Sequence, residues 1–277
     1  MEPIFYVNGE YAPESKALLG ATDIGLLRGY GVFDFTITYD RKPFRLRDHL
    51  DRLWNSARII GLILPWSKEE LEDLVYKTLD MNPEGEKGIR IVVTGGQSND
   101  TFLPSGKPSL IIIVKPVKEY PKKYYTEGVK VITYQGKREI PEAKTLNYIT
   151  PVRALGLARA MGAEEAIYTS EGLLYECMAC SLFTVLNGVI LTAGNEVLDG
   201  ITRRTILEVI EGEIPVKYRF VRVSEIPNLN EAFLTSSSHG VMPIMQIDET
   251  VIGEGKRGPI TERVMKLFQD YTGKRLY

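Results

Sequence analysis

The spacing of apolar residues restricts the fold of this chain most strongly, because strand-like and helix-like segments alternate along it. Gly31–Tyr39 (GVFDFTITY) is rich in β-forming side chains that partly alternate, which predicts a strand. Residues 48–60 have apolar side chains at intervals of three and four, which predicts a helix. Ser67 and Glu70 have the spacing of a capping box before a second helix. These segments favour a mixed α/β fold.

The later segments follow the same logic and indicate two lobes. Further strands are predicted at 4–7, 88–94, 110–115, 129–134, 165–169, 173–176, 181–186, 189–192, 216–223 and 232–235, and further helices at 148–161, 202–211 and 260–271. Residues 116–128 (PVKEYPKKYYTEG) contain two prolines and many charges, which is typical of a linker. We therefore predict a small α/β domain at 1–115, a linker at 116–128 and a larger, strand-rich domain at 129–277. No internal repeat is visible.

Composition excludes several classes of function. The chain has 277 residues, of which 44% are hydrophobic and 25% charged, as in ordinary globular proteins. Its 34 basic and 36 acidic residues give a net charge of −2, so there is no basic surplus for nucleic acid or an anionic membrane. No apolar run approaches the roughly 18 residues of a membrane-spanning helix. The first residues, MEPIFY, lack the regions of a secretion signal, so we expect a cytoplasmic protein.

The two cysteines, Cys177 and Cys180, have a C-x-x-C spacing that occurs in redox pairs and in zinc sites. The only histidines, His49 and His239, are distant in sequence, so a zinc site would lack ligands. The residues around the pair predict strand rather than the helix start of a redox unit. We therefore expect two buried cysteines on a sheet, and no metal.

Three segments have the composition of an anion-binding site. Gly200, Ile201 and Thr202 open a predicted helix, whose free N–H groups and positive dipole end suit a phosphate. The polar run 235–238 (TSSS) follows a strand and offers clustered hydroxyls. Arg52 lies beside the apolar stripe of its helix and has the geometry to bind a phosphate with two hydrogen bonds. The alternatives are an ordinary helix start, a solvated loop and a surface arginine.

Known nucleotide and hydrolase motifs are missing from the sequence. There is no G-x-x-x-x-G-K-[ST], no G-x-G-x-x-G entering a helix and no G-x-S-x-G. His49 lies on a helix and is better explained as structural than as catalytic. Lys144 lies in a proline-containing loop before an apolar helix, where a desolvated lysine could act as a nucleophile. Glu176 ends an apolar strand and would need a buried partner for its charge.

Six motifs together resemble those of the fold-type IV pyridoxal-phosphate enzymes, which include branched-chain aminotransferases, D-amino-acid transaminases and aminodeoxychorismate lyases. In chain order the motifs are 23–34 (DIGLLRGYGVFD), 49–57 with its H-x-x-R-L…S-A pattern, 144–148 (KTLNY), 172–183 with G-x-x-x-E…F, 198–203 (LDGITR) and 231–243 with E-x-F…P. Each motif is short, but six in this order span nearly the whole chain. The resemblance implies a fold-type IV enzyme with a small α/β domain and a larger pseudo-barrel domain.

The resemblance also implies residue roles. It implies that Lys144 is the catalytic residue and binds pyridoxal 5'-phosphate (PLP), and that the cofactor-binding residues are Arg52, Tyr148, Glu176, Ile201, Thr202, Ser236 and Ser237. In it, Glu176 pairs with the pyridine nitrogen and Tyr148 reaches the ring hydroxyl. The phosphate is held by Arg52, the N–H groups of Ile201 and Thr202, and Ser237, and it is flanked by Ser236 and Ser238. Protonation of the ring nitrogen makes the cofactor a better electron sink, and the released Lys144 amine moves the Cα proton.

The implied substrate site is where this sequence departs from its relatives. Its implied residues are Arg28, Tyr30, Phe33 and Ser238. Arg28 would bind a substrate carboxylate, and the alternative is a structural surface pair. Serine stands at position 181, where the family commonly has asparagine, and aspartate at position 34, where it commonly has glutamate.

Three functions follow from this interpretation. The first is an aminotransferase that moves an amino group between a branched-chain or D-amino acid and a 2-oxo acid. The second is an aminodeoxychorismate lyase on the same scaffold. The third is a non-catalytic protein that binds a phosphorylated ligand, which would not need Lys144. The resemblance favours the first, and it implies a homodimer.

Overall fold

The computed structural model describes residues 2–273, and the chain divides into two compact units. The first unit contains the residues up to Lys118 together with Glu142–Asn147. The second contains Glu119–Pro141 and the residues from Tyr148 onward. Residues 1 and 274–277, which the predicted domain ranges include, lie outside the described residues.

The first unit is built on a six-stranded antiparallel sheet. Its strands are β1 Ile4–Val7, β2 Glu10–Pro13, β3 Gly31–Tyr39, β4 Lys42–Pro43, β5 Lys87–Thr94 and β6 Ser109–Pro116, which pair in the order β2-β1-β6-β5-β3-β4. Strand β3 is nearly all buried, because β5 pairs with it on one side and a helix covers it. A long strand with buried residues on both faces reads in sequence as a continuous run of β-formers.

Three helices complete this unit: α1 Ile24–Arg28, α2 Leu46–Ile59 and α3 Lys68–Asp80. Helix α3 begins with the predicted capping box, in which Ser67 and Glu70 each bond to the other's backbone N–H. The apolar stripe of α2, with Leu50 and Leu53, packs into one core with residues of α3, β5 and β6. This packing fixes which face of α2 is buried, and therefore directs Arg52 inward.

The second unit is built on a ten-stranded mixed sheet. Its strands are β7 Val129–Gln135, β8 Glu165–Ser170, β9 Leu173–Cys177, β10 Ser181–Leu186, β11 Val189–Thr192, β12 Val216–Tyr218, β13 Val221–Arg222, β14 Glu231–Ser236, β15 Gly240–Ile247 and β16 Thr250–Val251. They pair in the order β12-β11-β10-β14-β15-β7-β8-β9-β13, and β16 pairs with β15. Its helices are α4 Lys123–Thr126, α5 Ile149–Ala160, α6 Ile201–Val209 and α7 Pro259–Thr272.

The segment Glu142–Asn147 belongs to the first unit because it pairs with the start of β3. The N–H of Phe33 donates to the carbonyl of Lys144 at 2.9 Å, and the N–H of Leu146 donates to the carbonyl of Gly31 at 3.0 Å. A Cβ atom at Gly31 would lie 2.7 Å from Leu146, so glycine permits the close approach. The predicted division assigns this segment to the 129–277 domain and therefore does not anticipate its return.

Two further details differ from the sequence-based expectations. Residues 116–128 are not only a linker, since they contain α4, in which Tyr125 is buried. Strand β15 was not expected, because Pro243 argues against an interior strand. Pairing with β7 begins only at Ile244, so the missing N–H of Pro243 falls outside that ladder.

Candidate active site

Lys144 is held firmly by its backbone within the first unit. Its N–H donates to Ser56 Oγ at 3.0 Å, and its carbonyl accepts from Phe33. The residue is only 9% exposed, and its Nζ lies 4.7 Å from the centre of the Phe33 ring. Removal from water into apolar surroundings is the environment that a lysine nucleophile needs.

A buried network of Asp34, His49 and Arg52 lies in the same unit. Arg52 donates to Asp34 from Nε at 2.9 Å and from Nη2 at 2.8 Å, and His49 Nδ1 lies 2.6 Å from Asp34 Oδ1. Burial alone would raise the pKa of Asp34, but the Arg52 guanidinium and His49 hold it well below its ordinary value. Arg52 is therefore a buried ion-pair partner rather than a surface side chain.

His49 is neutral in this network because burial lowers its pKa, an effect that outweighs the attraction of Asp34. The nearby charges of Arg52 and Lys144 lower it further, so the lysine amine lies within electrostatic range of the network. His49 Nε2 is buried and has no hydrogen-bond partner among the described residues. The histidine thus orients the aspartate, which in turn orients Arg52.

The residues implied for the substrate lie in different environments. Phe33 is buried, and its ring contacts both the Lys144 amine and the guanidinium of Arg90, whose Cζ lies 4.9 Å from the ring centre. Tyr30 is half-buried, and its hydroxyl donates to the carbonyl of Ile60 at 3.1 Å. Arg28 is exposed and stacks at 4.5 Å on Phe102, an arrangement closer to the surface pair than to a formed carboxylate site.

In the second unit, Glu176 has the buried partner that its position requires. Arg138 Nε donates to Glu176 Oε1 at 2.9 Å, and the N–H of Leu198 donates to the same oxygen at 3.2 Å. Arg138 is also hydrogen-bonded to Tyr148. Burial disfavours the Arg138 charge, but Glu176 and Tyr148 more than offset this and raise its pKa. One guanidinium therefore joins the two residues that the resemblance assigns to the cofactor ring.

Arg138 was missed by reasoning from the sequence. The need for a cation beside Glu176 was foreseeable from the burial of that acid, but the two residues are 38 positions apart and Arg138 lies in a loop between β7 and α5. No local pattern connects such a pair.

The two phosphate-type segments of this unit meet at Ser181. Gly200 is the N-cap residue of helix α6, and no side chain caps the first N–H groups of the helix. A Cβ atom at Gly200 would lie 2.6 Å from Ser181 Oγ, so glycine permits this close approach. Ser181 pairs in turn with Thr235. Thr235 leads into residues 236–239, here called the serine turn, which run from the last residue of β14 to the residue before β15. The helix start and the serine turn therefore lie at the same end of the neighbouring strands β10 and β14.

The polar groups at this end of the strands have the composition of an anion-binding site. Thr202 is buried, and Ser236 Oγ lies 2.9 Å from Ser238 Oγ, while Ser237 is half-buried. The Thr235 hydroxyl is buried and has no hydrogen-bond partner among the described residues. A buried donor without a partner costs free energy unless a ligand satisfies it.

Metal-ligand clusters and long apolar helices are both missing from residues 2–273. No group of three or more His, Cys, Asp or Glu side chains in this range could hold a metal ion. None of its helices is long and apolar enough to cross a membrane.

Comparison with known proteins gives one consistent family. Residues 31–247 match the family described as amino-transferase class IV. A Methanocaldococcus jannaschii protein with the provisional name branched-chain-amino-acid aminotransferase is 32% identical over 280 residues, covering 97% of this chain and 96% of that protein. The D-alanine aminotransferase of Listeria monocytogenes is 31% identical over 270 residues, covering 95% of this chain and 93% of that protein.

Solved structures agree in fold. The branched-chain amino acid aminotransferase of Escherichia coli superposes with a TM-score of 0.90 at 26% identity, covering 99% of this chain and 94% of that one. A branched-chain amino acid aminotransferase of T.th., solved with pyridoxamine 5'-phosphate, gives a TM-score of 0.90 at 26% identity, covering 99% of this chain and 96% of that one. The predicted fold class, a mixed α/β protein of fold-type IV, is confirmed.

The residues present fit PLP. An anionic phosphate suits the uncapped start of α6 and the unsatisfied Thr235 hydroxyl, and a pyridinium nitrogen suits the buried Glu176 carboxylate. The buried amine of Lys144 suits a covalent link to the aldehyde of PLP. The chain belongs to the class IV aminotransferase family and is a PLP-dependent aminotransferase.

Proposed function

We propose that the amino donor of this aminotransferase is an amino acid with an uncharged, apolar side chain. The observation that carries the proposal is the buried Phe33 ring against the Lys144 amine, because an apolar surface beside the reacting amine favours an apolar substrate. The relatives are named for branched-chain amino acids and for D-alanine, and both of these have uncharged, apolar side chains.

We infer the following roles for the residues of this chain. When bound, PLP accepts the electron pair that remains after a substrate loses its Cα proton. Lys144 binds the cofactor through Nζ and, once displaced by substrate, takes and returns that proton. Glu176 holds the proton of the ring nitrogen, and Arg138 balances the charge of Glu176. Tyr148 orients the ring hydroxyl.

The phosphate is assigned to two groups of residues. In the second unit the proposed ligands are the N–H groups of Ile201 and Thr202 and the hydroxyls of Ser236 and Ser237, supported by the uncapped helix start. Arg52 of the first unit is proposed as a further ligand, held in orientation by Asp34.

The remaining roles rest on the family resemblance, and for Phe33 also on its contact with the Lys144 amine. Arg28, Tyr30, Phe33 and Ser238 are proposed to contact the substrate, and the active form is proposed to be a homodimer. The cytoplasmic location stays a prediction.

A panel of amino donors tests the function. Purified holoenzyme is given each donor in both enantiomers, with 2-oxoglutarate or pyruvate as acceptor, and the new amino acid is measured. We expect turnover with apolar donors and with one enantiomer strongly preferred. Turnover that is best with acidic or basic donors would contradict the proposal.

Variants and a second substrate separate the alternatives. Lys144→Ala should abolish turnover and borohydride-stable labelling, whereas Lys107→Ala, at an exposed lysine of the same unit, should change neither. Release of pyruvate from aminodeoxychorismate without an amino acceptor would instead identify a lyase. Ligand binding that survives Lys144→Ala, with no turnover in the wild type, would identify a non-catalytic binder.

A further inference from the structure

A cluster of titratable side chains in the second unit has no role in the proposed aminotransferase reaction. Glu165 begins β8, Cys180 immediately precedes β10, and His239 ends the serine turn just before β15. All three are buried. Because β10 pairs with β14 with Ser181 opposite Thr235, Cys180 comes next to the point where the serine turn begins.

The three side chains form a continuous chain of polar contacts. Cys180 Sγ lies 3.2 Å from Glu165 Oε2 on one side and 3.3 Å from His239 Nε2 on the other. Glu165 is itself anchored, since its Oε1 accepts a hydrogen bond from the N–H of Ala166 at 2.8 Å. Burial raises the pKa of Glu165 to about 7, against the effect of its hydrogen bonds. The thiol thus links a fixed carboxyl group to the histidine of the turn.

His239 is held from two other directions. The ring of Tyr120 packs edge-on against the imidazole, with centroids 5.3 Å apart, and Tyr120 is hydrogen-bonded to Ser238. The hydroxyl of Tyr125 donates to the His239 carbonyl at 3.3 Å. The last two residues of the serine turn are therefore held by contacts outside the turn, and Ser238 is in turn hydrogen-bonded to Ser236 at 2.9 Å.

Cys177, the other cysteine, has a different environment. It is fully buried, and burial raises the pKa of its thiol well above the ordinary value. Only Cys180 of the two is in contact with the histidine of the serine turn, so Cys177 provides a matched control within the same chain.

We propose that Cys180 and His239 are positioning residues that hold the serine turn in the conformation that binds the cofactor phosphate, with Glu165 as their fixed anchor. This proposal rests on the proposed role of Ser236 and Ser237 as phosphate ligands. Two hydroxyls in a short turn bind a phosphate well only if the turn does not have to be ordered on binding. The linked side chains of Glu165, Cys180 and His239 order the serine turn before the phosphate binds.

The test measures how fast the phosphorylated cofactor leaves. Holoenzyme is converted with an amino donor to the pyridoxamine phosphate form, in which no covalent link to Lys144 remains, and release into excess inorganic phosphate is followed by ultrafiltration. We expect His239→Ala and Cys180→Ala each to speed release about three- to tenfold, the effect of losing roughly one hydrogen bond. Cys177→Ala should release at the wild-type rate.

Conservative variants and the visible spectrum distinguish positioning from general damage. His239→Gln, whose amide can still form a hydrogen bond with the Cys180 sulfur, should recover part of the slow release. The absorption maximum of the Lys144-bound form should be the same in all variants, because the ring end of the cofactor is not touched.

The proposal is overturned if His239→Ala and Cys180→Ala release the cofactor no faster than Cys177→Ala, or if His239→Gln is as fast as His239→Ala. A wild type that forms no borohydride-stable adduct at Lys144 would instead refute the proposed function, which is a separate result.

Discussion

Replacing Asp34 by asparagine should strongly destabilise the first unit. Asp34 is fully buried and accepts two hydrogen bonds from Arg52. His49 Nδ1 lies 2.6 Å from its Oδ1. Asparagine keeps the shape but removes the charge, so the Arg52 guanidinium, only 7% exposed, is left without its counter-ion. Breaking a buried pair in this way costs about 3–5 kcal/mol. That loss would lower the melting temperature by about 6–20 °C.

Tryptophan fluorescence gives a specific assay for this change. Trp54 and Trp66 both pack against the hydrophobic core of the first unit, so urea unfolding followed by fluorescence reports on that unit. The control is Glu14→Gln, which removes the acid of an ion pair with Lys115 whose side chains are 42% and 48% exposed. Exposed pairs contribute about 0–1 kcal/mol, so the control should unfold almost as the wild type does.

The pH dependence of the same measurement follows from the lowered pKa of Asp34. The folded protein binds the proton of this carboxyl less readily than the unfolded chain, so its contribution is present above the unfolded pKa of about 3.9 and is lost as the pH falls. The lowered pKa of His49 acts in the same direction below about pH 6.5. The reasoning is refuted if Asp34→Asn and Glu14→Gln shift the midpoint equally, or if the Asp34→Asn deficit does not shrink below pH 4.

Three further predictions concern the second unit. Arg138→Met should leave Glu176 buried without its cation, and we expect a loss of about 3–5 kcal/mol in unfolding free energy and a shifted visible band of the bound cofactor, measured by urea titration and absorbance. Gly200→Ala should weaken PLP binding because the added Cβ would lie 2.6 Å from Ser181 Oγ, and adding Ser181→Gly should restore the affinity measured by cofactor titration. Thr235→Val should leave the unfolding free energy of the cofactor-free protein equal or slightly higher, since the buried hydroxyl lacks a partner. It should also speed cofactor release, and unchanged release would show that Thr235 is not part of the phosphate site.

Local patterns were sufficient to predict much of the fold. Strand β3 matches its predicted bounds, and helix α3 begins at the predicted Ser67 cap, because both depend on neighbours in sequence. Strand β15 was missed. Pro243 is unfavourable in an interior strand, and only the register shows that it pairs with Phe233 of β14 while the ladder with β7 starts after it.

The candidate site was predictable as a set of residue types but not as a set of contacts. Composition and spacing identified Lys144 and Glu176, and the family resemblance supplied their roles. The partner of Glu176, the burial of Arg52 against Asp34, and the contact of Cys180 with His239 all join residues that are distant in sequence. Such contacts are set by tertiary packing, so no local pattern contains them.

The return of Glu142–Asn147 to the first unit has a consequence for synthesis on the ribosome. The first 118 residues emerge from the ribosome before this segment does, so the backbone groups of Gly31 and Phe33 that later bind it have only water as a partner. The nascent first unit is therefore incomplete at one strand edge until residues 142–147 have emerged as well. The reactive lysine is locked into place at that moment, and a truncated product that stops at residue 118 would expose an open strand edge prone to aggregation.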